Sequence, residues 1–185
     1  MLVLVAATAA HAEEFLAWRS EPAMIRFNPL RPMSLEELRE HLSACRSDLS
    51  DLREGTTYRW MIQSKGIVRG TVAIKEVNLM MGLAEVSYGV AEAMHGRGIA
   101  TQAVGLLLDQ VFQSPVLRRV VAYVHEHNAA SCRVLAKLGF EREGLLREHY
   151  LIRGEPVNEW VYGLLAREWA QRRSARNTSP VPGGG

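Results

Sequence analysis

The 185 residues, 48% hydrophobic and 23% charged, suit one ordinary globular core and exclude fibrous and disordered classes. A formal charge of +2 is too small to mark a nucleic-acid binder, and no apolar run approaches the ~20 residues needed to span a bilayer, so neither partner is expected. Cys45 and Cys132 match no metal or redox spacing and read as reduced thiols of a cytoplasmic protein.

In chain order, Met1 to Val5 reads as a first strand and Thr8 to Trp18 as a helix. The apolar run Leu2 to Ala10, ending in Ala-His-Ala, has the look of a cleavage site, but no Lys or Arg precedes it, so strand and helix are the better reading. Ser20-Glu21-Pro22 breaks the pattern, and Asn28 to Pro32 is a loop with two prolines. Ser34-Leu35-Glu36-Glu37 is a capping box, with Met33 and Leu38 placed as a hydrophobic staple, so a second helix starts there and ends before Gly55. Thr57 to Ser64 and Ile67 to Ile74 form a hairpin about Lys65-Gly66.

Leu83 to Val90 is the next strand, with Ala84, Val86, Tyr88 and Val90 on one face and Glu85, Ser87 and Gly89 on the other. After it, His95-Gly96-Arg97-Gly98-Ile99-Ala100-Thr101 leads into a helix marked by Ala103, Val104, Leu107, Leu108 and Val111. A glycine-rich entry to a helix leaves unpaired N–H groups at the positive end of the macrodipole. It is a candidate pyrophosphate cradle, to which Arg97 adds a charge and Thr101 a hydroxyl. The dinucleotide and P-loop templates do not fit: a third glycine and a Gly-Lys-Ser/Thr are both missing. Leu117 to Val124 is another strand, Asn128 caps a helix ending at Leu138-Gly139, and Leu145 to Arg153 and Val157 to Leu165 are two strands about Gly154-Glu155-Pro156. The result is an α/β domain with one mixed, mostly antiparallel sheet over residues 1–170. From Gln171 on, apolar content almost vanishes, and a disordered tail, 171–185, is expected.

His95 to Ala100 resembles the acetyl-coenzyme A loop of the GNAT N-acetyltransferase superfamily, Q/R-x-x-G-x-G/A. Asn128-Ala129-Ala130-Ser131 followed by Lys137-Leu138-Gly139-Phe140 is similar to that superfamily's next motif, and N-x-x-S with Glu143-Gly144 resembles its RimJ/RimL branch. The resemblance implies a GNAT fold whose strands splay at the cofactor, with acetyl-CoA as cosubstrate and no metal. It also implies a pantetheine arm held by the backbone of Tyr88, Gly89 and Val90, and a pyrophosphate on Gly96 to Thr101, with His95 donating to a phosphate or backbone group and Asn128 touching the cofactor. Glu85 falls where several GNAT enzymes carry a catalytic glutamate; the other reading is a salt-bridged strand carboxylate. Leu135 stands where many members have the tyrosine that protonates the departing thiolate, and the branch suggests Ser131 instead, which is equally a capping serine.

The early helices would flank the acceptor cleft with Trp18, Arg19, Phe27 and Arg31, and Glu159, Trp160 and Tyr162 could line it. His125 and His127 read as structural, since no third metal ligand accompanies them. By resemblance the acceptor is a primary amine, foremost a protein N-terminal α-amine of the ribosomal-protein-alanine kind. A small-molecule amine, or an acyl-CoA-binding module with weak turnover, remains the alternative, and a homodimer is suggested only by analogy.

Overall fold

Lys65 and Gly66, with φ of 52° and 74°, take the left-handed pair of conformations that a tight hairpin demands, and they join β2 (Tyr58–Ser64) to β3 (Ile67–Asn78). The other strands are β1 (Leu2–Ala6), β4 (Leu83–Val90), β5 (Arg119–His125), β6 (Glu141–Ile152) and β7 (Glu155–Leu165). In this computed structural model, which describes residues 1–28 and 30–178, they form one sheet in the order β1-β2-β3-β4-β5-β7-β6. Every neighbouring pair is antiparallel except β4 with β5.

Side-chain alternation gives each sheet face its own core. Trp60, Ile62, Val72, Ile74, Val86 and Val124 pack against α4 (Ile99–Val111), α5 (Ala129–Leu138) and α6 (Ala166–Thr178). On the opposite face Met61 and Val68 meet α1 (Ala12–Arg19) and α3 (Leu35–Ala44), through Phe15, Trp18, Leu38 and Leu42. The capping box is made: the Glu37 amide donates to Ser34 Oγ at 3.1 Å and the Ser34 amide to Glu37 Oε2 at 2.7 Å. Met33 and Leu38 lie in the same cluster.

The elements differ from the sequence reading in four places. The first helix begins as a single 3-10 turn at Ala9–His11 before α1. Pro22 starts the short helix α2 (Pro22–Arg26) rather than only ending one, since a missing N–H costs nothing in a first turn. The stretches β3 and β6 extend to Asn78 and back to Glu141, through bulged registers that strict alternation does not mark. The largest difference is at the C-terminus, where α6 runs to Thr178, into the stretch expected to be disordered. Trp169, 1% exposed, anchors it in the main core and donates Nε1–H to Asp109 Oδ1 at 3.0 Å, while Arg173 pairs with the same carboxylate at 3.3 Å. One buried indole therefore anchors a helix whose remaining residues are alanine or polar. The rest of that expected tail, 179–185, lies outside the described residues.

Candidate active site

Parallel pairing of β4 with β5 covers only Leu83↔Arg119, Ala84↔Val120 and Glu85↔Val121. Beyond that point β4 stays with β3 as far as Gly70↔Val90, and β5 stays with β7 as far as His125↔Glu159, so the two strands part into a wedge. The Ala91 amide donates to Arg69 O at 3.0 Å, which makes that a hydrogen-bonded pair. Since such pairs alternate along an antiparallel ladder, Tyr88 and Val90 turn their N–H and C=O groups away from β3, into the wedge. An unpaired strand edge of this kind accepts an extended ligand as an added strand.

Gly89 differs from its expected place. Its amide and carbonyl belong to the ladder with Thr71, and its missing side chain makes room on the opposite face: a Cβ there would lie 2.6 Å from Met24 Cε and 3.6 Å from Trp18 Cζ3. Glycine at 89 therefore serves the packing of α1 and α2 over the sheet, leaving Tyr88 and Val90 as the residues whose backbone faces the wedge.

At the open end of the wedge the loop enters α4. Gly96 and Gly98 both have φ of 73°, and a Cβ at either would meet nothing within 4 Å, so backbone conformation alone requires glycine, and the space before them is free. Among the described residues, no backbone amide from Gly96 to Thr101 donates to a protein carbonyl outside the helix ladder. Ile99 and Ala100 turn their side chains to the core and offer the loop only these amides. Unpaired amides at a helix entry fit a pyrophosphate. His95 Nε2–H donates to Val90 O at 2.9 Å, so of its two expected partners it takes the backbone one and ties the loop to the end of β4.

The second helix of the site, α5, starts at the same end. Asn128 Oδ1 accepts from the Ser131 amide at 3.1 Å, and Ser131 Oγ lies 2.6 Å from Tyr88 Oη. Burial pushes the Tyr88 phenol well above its ordinary range, so it stays protonated. Leu135, where a tyrosine would serve as acid, is fully buried in the main core. The site's hydroxyl pair is thus Ser131 with Tyr88; alternation on β4 points Tyr88 to that face, but its contact with α5 is long-range and has no local signal.

Glu85 occupies the last paired position before the wedge opens, on the face away from α4. Its carboxylate meets Lys75 Nζ at 2.9 Å and is 15% exposed. Burial pushes its pKa up, and Lys75 opposes that only in part. A cleft of about 330 Å3 beside it is lined by Glu76, Leu83, Val121, Tyr123, His149 and Tyr150. A larger groove of about 690 Å3, from Leu49 to Val116, lies at the far end of α4 and carries no ionisable side chain.

The candidate acceptor residues divide by face. Glu159, 7% exposed, is in register with His125 and receives His149 Nδ1 at 2.8 Å. Trp160 and Tyr162 point to the other side and belong with the main core. Trp18 covers Gly89, Phe27 packs on His125 with ring centroids 5.1 Å apart, and Arg19 donates to Arg31 O at 2.9 Å. His125 and His127 are 5.5 Å apart between ring centroids, and no metal-binding cluster occurs among the described residues.

Comparison with known proteins agrees with this geometry. The family model described as "Acetyltransferase (GNAT) domain" matches residues 1–141. An N-acetyltransferase called p20 from Bacillus licheniformis is 27% identical over 86% of this chain and 89% of its own length. Spermidine N(1)-acetyltransferase of Escherichia coli is 29% identical over 60% of this chain and 61% of its own. The structure of Mycobacterium smegmatis RimJ in complex with CoA-disulfide superposes with a TM-score of 0.80 at 25% identity, over 95% of this chain and 89% of the other.

Proposed function

We propose that this chain, which belongs to the GNAT family of acetyl-CoA-dependent N-acetyltransferases, acts on a protein N-terminal α-amine. The observation that carries the acetyl-transfer part of this reading is the arrangement about the wedge. The free edge of β4, the unpaired amides of Gly96 to Thr101 and a half-buried carboxylate at the fork converge where β4 and β5 part.

Each provision of acetyl transfer has a group in place. The N–H and C=O of Tyr88 pair with the pantetheine amides, and the helix-entry amides take the pyrophosphate. Glu85 is the general base: it removes the ammonium proton, directly or through one water, and its raised pKa brings it closer to neutral pH, where a base works best. As the amine nitrogen bonds to the thioester carbon, the Val90 N–H faces the developing oxyanion, a donor worth roughly 3 kcal/mol in other enzymes. When the carbon–sulfur bond breaks, Ser131 Oγ gives its proton to the thiolate and recovers one from Tyr88 Oη, 2.6 Å away. The deprotonated pair regains a proton from solvent, matched by the second proton that the nitrogen loses to solvent as the amide forms, and Glu85 then releases the first.

A relative named ribosomal protein uS5-alanine N-acetyltransferase, from Escherichia coli, supports a protein amine, and the spermidine relative keeps a small amine as the second reading. Calorimetric titration with acetyl-CoA, run beside thiol release on N-terminal peptides and on small amines, separates them. Micromolar binding with release on peptides is the expected result. Release on polyamines alone would transfer the activity to the second reading, and binding without any release would make the chain an acyl-CoA-binding module.

A further inference from the structure

Beneath α1 the fold gathers positive charge that no carboxylate among the described residues answers. Arg59 on β2 is in register with Ala73 of β3, and Ala73 with Ser87 of β4, so Arg59 shares the face that carries Glu85. Its guanidinium leans along that face: Nη1 donates to Thr71 Oγ1 at 3.3 Å, and Cζ lies 5.7 Å from the centre of the Phe15 ring. Thr71, 4% exposed, is in turn paired with Gly89, one strand from the wedge. Arg19 reaches the same region from the end of α1, and its hydrogen bond to the Arg31 carbonyl holds the segment before α3 beside it.

Arg31 has Glu37 as a partner at 3.1 Å on the rim. Among the described residues, Arg19 and Arg59 have no ion-pair partner. Burial, and then the charges of Arg31 and Arg59, lower the proton affinity of Arg19; burial, then Arg59, Arg19 and Arg31, lower that of His41. Two donors in this region are also buried without an acceptor, Arg59 Nε and Trp18 Nε1, and Trp18 is itself 5% exposed and lies against Gly89. A half-buried cation and orphaned donors are costly unless an anion answers them.

We propose that Arg59 and Arg19, beside α1, form a pocket for a carboxylate of the acceptor, the side chain of an Asp or Glu a few residues behind the amine to be acetylated. The proposal rests on the N-terminal peptide reading given above. The spacing suits it: Arg59 and Glu85 are two strands apart and offset by two residues, roughly 12 Å between backbones. An extended peptide advances ~3.4 Å per residue, so an acid at the second to fourth position reaches the guanidinium while the amine stays at Glu85. A polyamine laid along the same line would instead bring its second ammonium against these cations.

The experiment compares kcat/KM of the full chain for peptides that differ only in Glu, Gln or Lys at the third residue. We expect Glu to exceed Gln by roughly tenfold, the effect of one charge-assisted hydrogen bond, and Lys to fall below both. In Arg59→Gln the Glu-over-Gln ratio collapses toward one while acetyl-CoA affinity is unchanged. Arg19→Gln, at the end of α1 rather than within the sheet, gives the same collapse should Arg59→Gln fold poorly. Equal rates for the three peptides on the wild-type chain would overturn the pocket and leave the N-terminal reading standing. Acetylation of small acidic amino acids but of no peptide, with the same dependence on Arg59, would keep the pocket and remove the peptide. Acetylation of polyamines alone would overturn both.

Discussion

The two faces of the sheet build their halves of the site from different materials. On the α4 and α5 side the site is mostly backbone: the β4 edge at Tyr88 and Val90 and the amides from Gly96 to Thr101, fixed by two glycines at positive φ. On the α1 and α3 side it is all side chain: Glu85 with Lys75, Glu159 with His149, and the Arg59 cluster, drawn from strands and helices far apart in sequence. A backbone site is indifferent to most substitutions, whereas a side-chain site changes its ligand with one. The side-chain half is therefore the part whose ligand a single substitution can change.

Breaking the side-chain half should have the largest effect. Glu85→Gln keeps the shape and removes the base, and kcat should fall about 10^2 to 10^4-fold with acetyl-CoA affinity unchanged by calorimetry. Retention of turnover at every pH would return Glu85 to the role of a salt-bridged strand carboxylate. Next is the hydroxyl pair. Ser131→Ala should lower kcat by roughly 10^2-fold, and Tyr88→Phe by less, since Ser131 keeps its position through Asn128. A larger loss in Tyr88→Phe than in Ser131→Ala would exchange their roles.

A smaller effect, confined to the cofactor half, is expected of Gly98→Val. A β-branched residue at φ of 73° costs about 1–2 kcal/mol, which should weaken acetyl-CoA binding by roughly tenfold or more while kcat at saturation stays near wild type. The subtlest test is a pH profile. Lys75 holds the Glu85 pKa down against the effect of burial, so Lys75→Met should raise it further. Glu85 must be ionised to act as base, and the acidic limb of kcat/KM should therefore move to higher pH. An unmoved limb would mean that some other group governs it.

Local physics makes much of this chain legible. The capping box at Ser34, the Lys65-Gly66 hairpin, the glycine-rich helix entry and the Asn128 cap each involve residues within a few positions of one another, and each forms as its pattern requires. The face to which Glu85 and Tyr88 point also follows, because strand alternation has a fixed period of two. Those rules determine elements, their order and the backbone half of the site.

Tertiary structure alone decides the rest. No spacing connects Trp169 to Asp109, so the helix it anchors reads as tail from composition. The packing of Met24 and Trp18 on Gly89 supplies a reason for that glycine that no local pattern carries. Tyr88 with Ser131, Lys75 with Glu85 and Arg59 with Arg19 meet only after the sheet and its helices are assembled. Charge and burial depend on such long-range neighbours, and a sequence pattern records only the near ones.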